Sequence, residues 1–411
     1  MKQHVLVVSH VPPIPGRSGQ HQRVRNLNLA LCEHFRVSFL LPERIAAQED
    51  LSAIEETVDH LIIASEQSGR LRPHRFSSRL HAWRTGLKTS NYMIGRIMLS
   101  PDVVDEASRE LKPDVVIFHY PHAAQSVEVF RRRGTPCVLD MHDLLFRSFE
   151  ATLSSSRLSG RRREARVAKY REWEQSAWSR FDGIIAISAG EYDYVVDHVS
   201  PDQTTYCAPM GLGLAEWPYI WSPSSDVRIG YYGALGSRRA VLEVERLVTR
   251  TMPTVWSRFP DAECWIIGSN PGPAVSEIAR KDRRVVLTGH VEDVSSLLST
   301  LTVVACPFAG RYGFRSRIIE LLATGVPVVA TSDAVSGMGL EDGAGVTLRD
   351  LDEEIAHECI RLAGSAQFAR HQSLQGRALV EDQFSFEATY GRLAADLAQD
   401  VASGRLSRAN D

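Results

Sequence analysis

From Tyr312 to Thr331 the chain reads Tyr-Gly-Phe-Arg-Ser-Arg-Ile-Ile-Glu-Leu-Leu-Ala-Thr-Gly-Val-Pro-Val-Val-Ala-Thr. This pattern predicts a glycine-containing loop at Tyr312, Gly313 and Phe314, a helix, a glycine stop at Gly325 and a buried strand. The first backbone N–H groups of such a helix are free, and its macrodipole favours an anion beside them. Arg315 and Arg317 fall in that first turn. Cations there oppose the dipole and cost stability unless a phosphate is present, which is the local conflict a diphosphate site produces. Glu320, one to two turns further on, can accept hydrogen bonds from a ribose diol. An ordinary strand–helix unit with solvated arginines is the competing reading.

Smaller constellations accompany this segment. Ile229 to Arg239 is a strand followed by a glycine-rich turn, with Gly233 at its start and Arg238 and Arg239 at the next helix. Gly268 and Pro271 follow another apolar run, and Val291 a third. Near the N-terminus, Gly16 and Gly19 permit close approach of backbone to ligand. Their loop does not fit the dinucleotide fingerprint GxGxxG, which argues against a nicotinamide enzyme. His142 lies just past the run Val138-Leu139-Asp140, where its alternatives are a reacting group or a helix-capping or loop hydrogen bond. His119 and His122 follow a neighbouring strand and read as cleft lining. Asp140 and Asp143 are the nearest approach to a metal-binding acidic pair, and their context predicts no metal.

Short apolar runs separated by helix-length segments must position these residues. They are His4–Ser9, Val37–Leu41, Asp114–Phe118, Cys137–Leu139, Gly183–Ser188 and Thr204–Ala208, then Arg228–Tyr232, Cys264–Gly268, Val285–Thr288, Val303–Pro307, Val326–Thr331 and Gly345–Leu348. Continuous apolar strands alternating with helices indicate parallel sheets covered on both faces. The alternation runs twice, so the expected fold is α/β with two Rossmann-like, doubly wound domains. Met210–Asp226, with its glycines and prolines, reads as the seam. The expected division is 1–212 and 213–384, with a C-terminal helix near 385–402 packing back on the first domain. Ligands of such sheets bind at the carboxyl ends of the strands, so the active cleft is expected where the two sets of strand ends face each other.

The whole sequence narrows the class. At 411 residues, 44% apolar and 24% charged, it is globular and long enough for two cores. A net charge of -3 argues against a nucleic-acid partner. No apolar run reaches the roughly 18–20 residues of a membrane span. Six scattered cysteines without CxxC spacing predict reduced, mostly buried thiols and a cytoplasmic protein.

The segment 312–331 resembles the family-four retaining glycosyltransferases of the GT-B fold. Their hallmark is two glutamates separated by seven residues, with Gly-Phe-Gly after the first and Glu-Ala-x-Ala-x-Gly-x-Pro-Val-Val-Ala-Thr around the second. Gly313, Phe314, Glu320, Ala323, Gly325, Pro327, Val328, Val329, Ala330 and Thr331 match it. Tyr312 stands in the first glutamate's place and Arg315 replaces a glycine. A branch with arginine–x–lysine before the second glutamate looks closer, and Arg315 and Arg317 fill those slots. The resemblance implies a nucleotide-diphosphate sugar as co-substrate, no cofactor and no metal. It implies that Glu320 holds the ribose and the loop amides the distal phosphate. Ala234 and Arg239 occupy the diphosphate-contacting slots, and backbone around Val291 faces the base. The loop with Gly16 and Gly19 borders sugar and acceptor, followed by the basic Arg23, and His142 contacts the transferred sugar. Ile184–Ser188 with Glu191 and Tyr192 lies near the acceptor floor, and Met210 replaces the asparagine of a Pro-Asn-Gly motif.

Two basic stretches complete the reading. One holds Arg157, Arg161, Arg162, Arg163, Arg166, Lys169 and Arg171. The other holds Arg70, Arg72, Arg75, Arg79, Arg84 and Lys88 among Phe76, Leu80 and Trp83. They can dock on anionic lipid at up to about 1 kcal/mol per charge, or be solvated helix faces. The expected function is sugar transfer, with retention, to a glycan, lipid-linked or other hydroxyl acceptor. A nucleotide-sugar epimerase of the same fold and a non-catalytic glycosyltransferase-like subunit are the alternatives.

Overall fold

A computed structural model describes residues 2–14, 18–65, 80, 91, 93–154, 158–310 and 314–406. Gly16, Tyr312, Gly313, Arg157 and, Leu80 excepted, the basic stretch from Arg70 to Lys88 lie outside the described residues. Within them the chain forms two compact units, 1–210 with 389–411, and 211–388.

The first unit is built on seven parallel strands, β1 (Gln3–Val8), β2 (Phe35–Pro42), β3 (His60–Ala64), β4 (Val115–His119), β5 (Cys137–Asp140), β6 (Gly183–Ala186) and β7 (Thr204–Cys207). Their order is β3-β2-β1-β4-β5-β6-β7. Six of them coincide closely with the apolar runs. The seventh, β3, is an edge strand with His60 and Ile63 exposed, and its short apolar run Leu61-Ile62-Ile63-Ala64 is not among the expected strands. Leu6, Val8, Val116, Phe118, Leu139 and Ile184 are fully buried, as strands covered on both faces require. Four helices bear on the site: α1 (Gly19–His34), α2 (Leu145–Ser154), α3 (Gly160–Trp178) and α4 (Ala189–Val196).

The second unit has six parallel strands, β8 (Arg228–Tyr232), β9 (Glu263–Ile267), β10 (Val285–Gly289), β11 (Val303–Cys306), β12 (Val328–Ala330) and β13 (Thr347–Leu348), ordered β10-β9-β8-β11-β12-β13. Helix α5 (Arg238–Arg246) follows β8, and α6 (Ser316–Thr324) precedes β12. Ile318, Ile319, Leu321 and Leu322 carry α6 into the core, each stabilising by about 2 kcal/mol relative to exposure. Gly325 ends that helix at φ 91°, its N–H on the Leu321 carbonyl.

The last helix, α7 (Arg392–Ser403), packs in the first unit, where Asp400 accepts a buried 2.7 Å hydrogen bond from Tyr206. Ser385 accepts from Ala388 N at 3.1 Å in the turn before it. The six cysteines are free thiols. Four are buried, Cys32 is half-buried and Cys207 is exposed. No helix among the described residues is long and apolar enough to cross a membrane.

Gly268 shows how tightly the second sheet's edge is built. It sits at φ +155°, and a Cβ there would stand 1.8 Å from the Gly233 carbonyl oxygen. Gly160, by contrast, opens α3 with nothing within 4 Å. Gly268→Ala is expected to destabilise the protein by at least about 2 kcal/mol. Gly160→Ala should be neutral or slightly stabilising. Denaturant unfolding of the two variants checks this; equal midpoints would contradict it.

Candidate active site

In the second sheet β8 and β11 are neighbours although β9 and β10 intervene in sequence, so the connections leaving them diverge. A crevice opens beyond the carboxyl ends of strands at such a point. A cavity of about 300 Å³ lies there, walled by Tyr231, Gly233, Ser237, Arg239, Glu243, Phe308, Phe314, Arg315, Ser316 and Arg317. Two helix N-termini meet it. Ser237 caps α5 by accepting from Ala240 N at 3.1 Å. At the start of α6 the cap position is Arg315, which makes no side-chain bond to the free N–H groups of the first turn. Positive potential from both dipoles and three guanidinium groups therefore converges on one small volume.

The arginines are not equivalent. Arg315 turns back on its own loop: Nη1 donates to the Asp333 carbonyl at 3.2 Å, and Nη2 to Gly310 at 2.8 Å and Ala309 at 3.2 Å. Its guanidinium lies 5.1 Å from the Phe308 ring centroid. Burial lowers its pKa, and the Glu243 carboxylate pulls the other way. Arg317 lies over the Tyr232 ring at 5.5 Å. Tyr232 Oη in turn donates to Glu320 Oε2 at 2.8 Å. Burial raises the Glu320 pKa, opposed by Tyr232 and Arg317. Ser316, which lines the cavity, also bonds the Glu320 side chain, so the acid is held beside the cavity by two hydroxyl groups.

The first unit carries a second constellation at the ends of β4 and β5. Arg23, fully buried in α1, places Nε 3.0 Å from both Asp140 oxygens and Nη2 2.6 Å from Oδ1. Its Nη1 donates to the carbonyl of Ala208, just past β7, at 2.8 Å. Burial disfavours both charges, yet the pair overcomes it. Asp140 is held far below the usual carboxylate range and Arg23 above its ordinary value. His119 Nδ1 lies 3.0 Å from Asp140 Oδ2 and 2.8 Å from His142 Nε2. Burial pushes the His142 pKa well down; Asp140 opposes this, while His119 and Arg23 reinforce it. His142 is therefore a neutral imidazole whose Nε2 meets both His119 and, at 3.3 Å, Asp140 Oδ2.

His119, Asp140 and His142 place ligand atoms within 4.8 Å of one another, the group among the described residues that can hold a metal. Arg23 already contacts both Asp140 oxygens, so a cation there would meet a guanidinium on the same carboxylate. The arrangement fits a hydrogen-bonded relay better than a metal centre.

His142 (φ 62°) and Tyr120 (φ 69°) both occupy the left-handed region, and their rings stack at 4.2 Å. Such conformations cost on the order of 1–3 kcal/mol each and persist where the surroundings enforce them. Buried acids help to do so. Glu174 in α3 accepts from Leu145 N and Phe146 N, both at 2.9 Å, fixing the start of α2. Glu191 in α4 accepts from Leu144 N at 3.3 Å. Burial, then the adjacent Asp143, lifts Glu191 to about 8, and burial raises Asp143 as well. His10 and His122 flank Tyr120 with ring centroids at 5.3 and 5.5 Å. Burial lowers them to about 4 and about 3, so both are neutral.

The sequence-predicted residues distribute as follows. Gly233, Arg239, Phe314, Arg315 and Arg317 come together in the cavity wall, with Glu320 alongside through the wall residues Ser316 and Arg317. Arg238 is exposed and outside the wall, which separates it from Arg239. Gly268 packs under Gly233, while Pro271 and Val291 are half-buried beyond β9 and β10, away from the wall. Gly19 opens α1, where an added Cβ would stand 3.6 Å from the Met210 side chain, an ordinary contact. The basic helix α3 lays Arg166 over Phe149 and Arg171 over Phe146, while Arg161 and Arg162 are exposed. Sequence reasoning missed Tyr232, Glu243 and Phe308. Glu243 was findable as the residue one turn beyond Arg239 on the same helical face.

Residues 18–211 match the family described as Glycosyl transferase 4-like domain, and residues 226–365 match Glycosyl transferases group 1. A 161-residue stretch is 29% identical to a phosphatidyl-myo-inositol mannosyltransferase of Propionibacterium freudenreichii subsp. shermanii, covering 38% of this chain and 39% of that protein. The chain thus spans well under half the length of this curated relative. Among solved structures, sucrose-phosphate synthase from Thermosynechococcus elongatus superposes with a TM-score of 0.66 at 18% identity, covering 98% of this chain and 100% of that one. Anabaena HepE in complex with UDP gives 0.63 at 14%, covering 97% and 100%. Its complex with UDP-glucose gives 0.62 at 15%, covering 97% and 99%. With two matched glycosyltransferase domains on two all-parallel sheets, the chain belongs to the glycosyltransferases of GT-B type.

Proposed function

We propose that this glycosyltransferase takes a sugar from a nucleoside-diphosphate donor and passes it, with retention of configuration and without a metal, to a hydroxyl acceptor. The observation carrying this reading is the cavity at the starts of α5 and α6, with Arg239, Arg315 and Arg317 in its wall and the Tyr232–Glu320 pair beside it. Free N–H groups and guanidinium groups suit a diphosphate, and stabilise it further as negative charge grows on departure. Arg315 holds the loop, and Arg239 and Arg317 meet the phosphates. Glu320, oriented by Tyr232 and Ser316, accepts from the ribose diol with its remaining lone pairs. UDP and UDP-glucose, the compounds in complex with Anabaena HepE, are of this chemical class.

In the first unit, neutral His142 donates to or accepts from a hydroxyl of the transferred sugar. Arg23, Asp140 and His119 set its orientation, and the strain at His142 is consistent with a preorganised group. The partial match to a phosphatidyl-myo-inositol mannosyltransferase supports a lipid-linked acceptor. The exposed Arg161, Arg162, Arg166 and Arg171 of α3 would then meet an anionic membrane surface peripherally.

Calorimetry against uridine, guanosine and thymidine diphosphates and their sugar esters tests the pocket. Glu320→Ala is expected to weaken nucleotide binding about 10- to 100-fold, the worth of hydrogen bonds to a charged group. Unchanged affinity and turnover would remove Glu320 from the site. His142→Ala should lower kcat about 100-fold while nucleotide affinity stays within about threefold. A parallel fall in both would make the histidine structural. Turnover should survive exhaustive dialysis against a chelator, and loss restored by a divalent cation would overturn the metal-free reading. Donor incubated without acceptor should not yield an altered sugar, which separates transfer from epimerisation.

A further inference from the structure

Glu243 is out of place on physical grounds. It lies on the inward face of α5 with Ala240 and Val244, only 7% exposed, and it walls the cavity that three arginines make positive. Acids are excluded from packed faces unless something compensates them. Part of the compensation is visible. Tyr231 Oη donates to Glu243 Oε2 at 2.8 Å, and the Ala309 N–H adds a backbone bond. Burial still raises its pKa, against Tyr231, Arg315 and Arg239. A glutamine could serve Tyr231 and Ala309 without placing a charge beside the cavity, so those two bonds do not explain the acid.

A carboxylate in this wall is unfavourable for a pocket that binds a diphosphate alone, because it repels the same phosphates the arginines attract. It becomes favourable when the ligand also carries an uncharged group rich in hydroxyls. A carboxylate accepts at about four positions, and two donors are in place here. Hydroxyl donors of a sugar ring fit the remaining capacity, and such charge-assisted bonds are stronger than neutral ones.

We infer that Glu243 is a specificity-determining residue that accepts a hydrogen bond from a hydroxyl of the hexosyl group carried on the diphosphate, so favouring the intact donor over the nucleoside diphosphate left after transfer. The inference rests on the donor-pocket reading above. It gives the pocket two opposed electrostatic elements. The arginines hold the phosphates in both donor and product, whereas Glu243 attracts the sugar and repels the bare diphosphate. Product release is assisted by the same residue that selects the donor.

The test compares uridine and guanosine diphosphates with their glucose, galactose, mannose and N-acetylglucosamine esters by calorimetry. The unmodified chain should bind one hexose ester at least about tenfold more tightly than the matching diphosphate. Glu243→Gln should weaken that ester about 10- to 100-fold and leave the diphosphate unchanged or tighter. Should Glu243→Gln fold poorly by thermal unfolding, Tyr231→Phe, which removes the bond that orients the carboxylate, should cost the ester a smaller, about threefold to tenfold, loss with the diphosphate unaffected. Parallel weakening of ester and diphosphate, or no weakening of the ester, overturns the role of Glu243 alone. Failure of the unmodified chain to bind any of these compounds overturns the donor-pocket assignment, and Glu243's role with it.

Discussion

Parallel strands cannot be joined by tight turns, and that constraint governs the placement of every functional side chain in this protein. Each strand in both sheets must be followed by a crossover, so all strand ends of one kind gather at one edge of a sheet. Where the order reverses, between β1 and β4 and between β8 and β11, neighbouring connections part and leave room. His10 and Tyr120 follow the first of these pairs, and Gly233 and Phe308 follow the second. Residues far apart in the chain are brought together because their strands are neighbours, and loop length plays little part in it. Helices then deliver their N-termini, with the free N–H groups, to the same edge.

The two units manage buried charge in opposite ways. In the first, Arg23 and Asp140 neutralise each other inside the protein, with Ala208 and His119 taking up remaining hydrogen-bonding capacity. Removing one partner of such a pair leaves an uncompensated buried charge, a penalty of about 3–5 kcal/mol. The pair therefore fixes how α1, β5 and the end of β7 meet. In the second unit the cations outnumber the acids in the cavity wall, and Arg315 spends its guanidinium on three main-chain carbonyls that shape the loop. Charge is balanced around Asp140 and left in excess around the cavity, where a ligand of opposite sign would be attracted.

Legibility in the sequence followed the same division. Strands buried on both faces are runs of apolar residues and could be read directly; β3 escaped although Leu61-Ile62-Ile63-Ala64 is apolar, because so short a run is equally compatible with a helix segment. The helix and strand within 314–331 were readable because arginine at the helix start and a glycine stop mark backbone geometry, and Gly325 does end α6 in the left-handed region. Partnerships across sequence were not readable. Nothing in the run Val138-Leu139-Asp140 shows that its aspartate meets Arg23, 117 positions away. Nor does the sequence reveal that Arg315 turns back on its loop, or that Tyr232 fills one oxygen of Glu320. Pairwise geometry of this sort depends on the crossing of elements, and local composition carries no trace of it.

Fold likeness at 10–18% identity fixes the sheets and leaves the chemistry of the pocket open. Main-chain groups at the starts of α5 and α6 serve any phosphate, so they cannot distinguish one donor from another. Discrimination has to come from side chains that meet the uncharged part of the ligand. Around this cavity Tyr231, Glu243 and Phe308 are described residues whose chemistry differs from that of a general anion site. Two of them are bonded to each other, and Phe308 stacks edge-on to Tyr231 at 5.8 Å. A substitution at any one of the three shifts the other two. On the donor-pocket reading, the choice of sugar falls to this packed trio, and the arginines supply strength of binding without selecting what the phosphates carry.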